Sequence, residues 1–62
     1  MYMFIKMGSG WFCKEVQSII SAVNCGKALE HIRNGEVVAF ADDIEYFADQ
    51  IGINADDIEM VK

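Results

Sequence analysis

Apolar residues in this chain fall into short blocks separated by glycines, and their spacing changes from block to block. The first block, MYMFIKM, is apolar on both sides of its alternation and stops at Gly8-Ser9-Gly10. That pattern predicts a strand over Tyr2–Met7, covered on both faces or partly covered by a second copy. In WFCKEVQSIISAVN, Phe12, Val16, Ile19, Ile20 and Val23 recur at i, i+4, i+7, i+8 and i+11. They line one face of a helix, with Glu15, Gln17, Ser18 and Ser21 off it. Ser9 is placed to cap its start and Gly26 to stop it. KALEHIRNG predicts a second, short helix with Leu29 and Ile32 turned inward, ended by Asn34-Gly35.

The stretch VVAFADDIEYFADQIG, residues 37–52, admits two readings. Val37, Phe40, Ala41, Ile44, Phe47, Ala48 and Ile51 keep a helical period, so one helix over 36–51 is possible. The β-branched and aromatic run before Asp42 favours a strand instead. Asp42 with Glu45 has the spacing of a capping box, and acids at 42 and 43 suit the positive end of a helix. The reading adopted is a strand over 36–41 and a helix over 43–51. Gly52 is the left-handed stop, with Ile53 as its hydrophobic partner. Residues 57–62 then read as a last strand, with a short helix as the rival.

The expected order is β-α-α-β-α-β, one small domain over residues 1–62. Strand-helix-strand connections favour parallel pairing, so a three-stranded, mostly parallel sheet with helices packed on it is predicted. Such a sheet leaves strand edges open to a partner or to a second copy. The alternative is a mainly α fold with a helix-turn-helix-like C-terminal half.

Length changes the picture first. A chain of 62 residues usually needs a staple or a partner beside its small core. Two cysteines and one histidine are too few for a structural zinc site. If one helix joins Cys13 to Cys25, they stand roughly 18 Å apart, beyond disulfide reach. Both are expected to be free thiols, in keeping with a reducing cytoplasm. Hydrophobic residues make up 53% of the chain, more than a domain this small can hide, so some apolar surface is expected to meet a partner or form a homodimer. No apolar run is long enough to span a membrane, and the N-terminal stretch lacks the pattern of a signal peptide.

Charge is distributed unevenly. Residues 1–35 carry Lys6, Lys14, Lys27 and Arg33 against Glu15 and Glu30, whereas residues 36–62 carry eight acids against Lys62. The acidic half would be repelled by nucleic acid and drawn to a basic protein. On the predicted helix, Asp43, Glu45, Tyr46, Asp49 and Gln50 point outward, with Asp42 before it and Asp56 and Asp57 just past its end. Acids around one exposed aromatic suit a cationic pocket: Tyr46 as anchor, the acids as steering charges. The expected function is therefore a non-enzymatic, cofactor-free, acidic protein-binding module. It would act as an inhibitor or antitoxin-like protein that blocks a basic nucleic-acid-processing protein without touching nucleic acid itself.

Two other readings attach to particular residues. Phe12-Cys13-Lys14 behind a strand resembles the opening of a glutaredoxin, over the first third of the chain. That resemblance implies a thiol-redox protein using Cys13 at a helix start, where a thiolate is favoured. The family's attacking cysteine, however, would stand at Gly10, and no proline follows. FADQIGINADDIEMV has the small, turn and core residues of a helix-turn-helix. Its reading helix would carry Asp56, Asp57 and Glu59 toward DNA phosphates, against the donors that recognition needs. Glu45 with Asp49, and Asp42 with Asp43, also have the spacing of paired carboxylates for a proton or Mg²⁺. On the outer face of an amphipathic helix, a solvated acidic stripe is their simpler role. His31, without a second histidine, reads as a surface or partly packed residue.

Overall fold

In the computed structural model, which describes residues 1–61, four strands form one sheet with helices on both faces. The elements are β1 (Tyr2–Met7), β2 (Gly10–Glu15), α1 (Ile19–Asn24), α2 (Lys27–Arg33), β3 (Val37–Ala41), α3 (Ile44–Ile51), a 3₁₀ turn (Ala55–Asp57) and β4 (Ile58–Met60). The strand order is β3-β1-β2-β4. β1 pairs antiparallel with both β2 and β3, and β4 adds parallel to β2. The mixed α/β class stands, but the sheet has four strands and is mostly antiparallel, not three-stranded and mostly parallel. The mainly α alternative is overturned.

The difference begins at residue 8. Met7 pairs with Gly10, so Gly8-Ser9 is a two-residue hairpin turn. Gly8 adopts φ 63°, a conformation that suits glycine at the first central position of such a turn. Ser9 therefore caps nothing. The residues expected to open a long helix form β2, with Trp11 and Cys13 on one face and Phe12 and Lys14 on the other. The helix starts later, at Ile19, where the Ser18 side chain accepts from the Ser21 N–H at 3.0 Å. α1 and α2 then return the chain to the Met7 end of β1, so β3 enters antiparallel to it.

β1 is covered on both faces, which explains why its alternation is apolar on both sides. Phe4 packs with Cys13, Phe47, Ala48 and Ile58 beneath α3. Met3 and Ile5 pack with Ala22 and Ala28 beneath α1 and α2. The phase of α2 is not the expected one. Ala28 is buried, while Leu29 and Ile32 are exposed. In α1, Ala22 alone is buried, and Ile19, Ile20 and Val23 face out. Small residues let these short helices lie close on the sheet, and the bulky ones are left outside.

The second half follows the expectation closely. β3 and α3 are separate elements with a break at Asp42-Asp43, so the single-helix reading fails. The cap is Asp43 rather than Asp42: its carboxylate accepts from the Tyr46 N–H at 3.3 Å. Gly52 ends α3 at φ 77°, and the Ile53 N–H donates to the Ala48 carbonyl at 3.0 Å. Ile53 packs against the α3-side core, completing the stop. The last strand is shorter than expected, at Ile58–Met60. Lys62, part of that expected strand, lies outside the described residues.

Candidate functional site

α3 is amphipathic in a way that sorts its side chains by chemistry. At about 100° per residue, Glu45, Tyr46, Asp49 and Gln50 span an arc of about 140°. Ile44, Phe47, Ala48 and Ile51 lie opposite. Phe47 and Ala48 are buried in the core, which fixes the rotation of the helix. The four outer residues are all exposed, with Tyr46 at 61%. Asp42 and Asp43 are exposed at the helix start. Asp56 and Asp57 are exposed in the 3₁₀ turn, which packs against α3. All eight residues expected to bind a partner thus belong to one α3–turn unit on one face of the sheet.

Among the described residues, no cation neutralises their charges. The one ion pair among the described residues joins His31 Nδ1 to Glu36 Oε2 at 2.5 Å, tying the end of α2 to the start of β3. No acid between 42 and 57 lies within ion-pair distance of a described cation. The α3 side of the sheet thus carries these acids together with Lys6, exposed beside Trp11, and the α1–α2 side carries the basic residues Lys14 and Arg33. Among the described residues, no group of three or more His, Cys, Asp and Glu is placed to hold a metal.

Cys13 is not where the redox reading needs it. It sits mid-strand in β2, 0% exposed, between Phe4 and Ile58 rather than at a helix start. Burial pushes its pKa above the ordinary value, so the thiol stays protonated at neutral pH. Cys25 is exposed at the end of α1. The two cysteines are separated by the sheet and not by one helix, and both are free thiols. Titration of the native protein with an aromatic disulfide reagent is expected to consume one equivalent quickly, at Cys25, and the second only in denaturant. Rapid native reaction of two thiols would show that β2 opens readily.

The helix-turn-helix reading loses its second helix. Residues 55–57 form a single 3₁₀ turn and Ile58–Met60 a strand paired to Trp11–Cys13. No helix remains there to enter a groove.

A concavity on the opposite side of the sheet went unseen in the sequence. On the α1–α2 side, a cleft of about 340 Å³ opens between α2 and β4. Met3, Ile5, Met7, Phe12 and Val61 line it, with Lys14, Glu30 and His31. It exists because α1 and α2 cover only part of that face. Recognising Gly8-Ser9 as a hairpin turn would have aligned Ile5 with Phe12 and exposed this stripe. No protein-family model, curated protein or solved structure matches this chain. No helix among the described residues is long and apolar enough to cross a membrane.

Proposed function

We propose that this protein is an acidic binding module that inhibits a basic, nucleic-acid-processing protein in the cytoplasm by occupying its cationic surface. The observation that carries the reading is the acidic face of α3 and the following 3₁₀ turn, which forms no ion pair among the described residues and is built around exposed Tyr46. Carboxylates held on a packed helix present fixed negative charge at little ordering cost, much as a phosphate backbone does. Tyr46 supplies apolar contact at the centre, and the acids steer the approach. The chain acts by contact, without catalysis or a cofactor.

The test is a triple substitution, Asp42→Asn with Glu45→Gln and Asp49→Asn, which leaves the Asp43 cap intact. Immobilised wild-type chain should retain a basic protein that elutes with rising salt, and the captured protein should lose nucleic-acid binding when the chain is added. At about 1.5 kcal/mol for each lost close charge pair, the triple variant should bind about 10³-fold more weakly. Its thermal melt should match the wild type. Equal capture by the variant would refute the acidic face as the binding surface.

A further inference from the structure

The surface opposite the acidic face has the reverse character. α1 contains no charged residue at all, in a molecule of net charge −5. Ile20 is 72% exposed, Ile32 55%, Ile19 46%, Leu29 42% and Val23 38%. All five belong to α1 and α2, which pack against each other, and exposed apolar side chains grouped in this way mark an interaction surface. A six-residue helix with β-branched residues facing water has little intrinsic stability. Its only buried side chain is Ala22. Covering its outer side would supply what its own contact with the sheet does not.

We propose that the α1–α2 face is covered by a second copy of this chain, giving a two-fold dimer with its acidic faces turned outward. Charge selects this surface over the others. Pairing through α3 would set Glu45, Asp49, Asp56 and Asp57 against their own copies. Antiparallel pairing of two β3 edges about Ala39 would place Glu36 opposite Asp42 of the second copy. Pairing of two β4 edges, only three residues long, would place Glu59 against Glu59. Each of these opposes like charges. On the α1–α2 side the described charges are Glu30 and Arg33 of α2, the His31–Glu36 pair, Lys14 of β2 and Glu59 of β4. Acids and bases are mixed there, and α1 itself carries none. A two-fold contact there buries apolar against apolar, with Asn24, Glu30 and Arg33 at the rim.

The area agrees. A standard interface takes about 800 Å² from each partner, with a depleted-charge centre and a polar rim. That is about a fifth of the 4307 Å² this molecule exposes, and the five apolar side chains supply the centre. The arrangement also answers the size of the chain: two short helical pairs stacked across the axis add a third apolar layer to a domain that has only two small cores. One dimer then displays two acidic faces pointing apart. The dimer does not depend on what the acidic face binds.

Sedimentation equilibrium of the full chain, followed across a dilution series, reads the outcome. The wild type should approach twice 7.0 kDa at high micromolar concentration. The double variant Ile20→Asp with Ile32→Asp should stay monomeric, while Tyr46→Asp on the opposite face should dimerise as wild type does. Dilution of the wild type followed by amide NMR should move signals of residues 19–33 and leave those of 44–51 and 37–41 in place. A monomer at every concentration overturns the proposal. So does a folded double variant that still dimerises, or dilution shifts confined to β3 or α3. If the double variant does not fold, the wild-type NMR series decides alone.

Discussion

Phe4→Ala is expected to leave most of the chain unfolded at room temperature. Phe4 is 0% exposed, on a strand flanked by pairing partners on both sides. Its ring stacks on Phe47 with centroids 3.9 Å apart and planes 14° from parallel. Trp11 meets Phe47 edge-on at 5.2 Å, so the three rings form one cluster joining β1, β2 and α3. Truncating a buried Phe to Ala costs about 3–5 kcal/mol through lost transfer energy and the cavity left behind. At roughly 0.05–0.15 kcal/mol per residue, a domain of this length holds only about 3–9 kcal/mol in all. The variant should lose the dispersion of its amide spectrum or melt in far less urea. Tyr46→Ala, which removes an exposed ring from the same helix, should shift stability by less than about 0.5 kcal/mol. A Phe4→Ala protein that melts cooperatively within about 1 kcal/mol of wild type would mean that the ring cluster is not the keystone of the α3-side core.

The parts of this fold that were legible in the sequence are those where local chemistry and burial agree. The break at Asp42-Asp43 before α3, Gly52 at its end and Ile53 beyond it each meet a backbone requirement that no other layer disputes, although the cap itself falls at Asp43 and not at Asp42. The apolar run Met3–Ile5 announced a strand buried on both sides, and it is one. The failures come where two periodicities coexist. Phe12, Val16, Ile19, Ile20 and Val23 keep helical spacing, yet Phe12 belongs to a strand and the rest are split between a connection and a six-residue helix. The alternation of Trp11 and Cys13 with Phe12 and Lys14 was masked because both sides of it are largely apolar. Gly8-Ser9 was the local signal that decides between them, since a two-residue turn forces the next segment back along β1. Once that turn is missed, β2 is lost, and with it the antiparallel sheet and the cleft beside Phe12. The acidic residues were easier to place. The outward direction of Glu45 and Asp49 depends only on the phase of α3, which Phe47 and Ala48 set.

The phase of α2 is the sharpest disagreement between spacing and structure, and it makes a second large prediction. Hydrophobicity alone turns Leu29 and Ile32 inward, whereas in the structure the buried residue is Ala28, 1% exposed against Met3 and Ile5. A short helix gains by approaching the sheet closely, and a small residue at the contact permits that approach. Ala28→Asp would bury an unpaired carboxylate in an apolar layer, where the effective penalty is several kcal/mol. That is comparable to the whole stability of the domain, so the variant should fail to fold. Ile32→Asp, at a site 55% exposed, should cost within about 0.5 kcal/mol. The comparison is made by urea titration at dilution, where the wild type is monomeric and loss of association cannot lower the reading. With the helical phase suggested by spacing, the order reverses: Ile32→Asp unfolds the chain and Ala28→Asp is tolerated. The two variants thus separate a helix held by its small residue from one held by its large ones, and only the first leaves Ile32 outside for a second copy to cover.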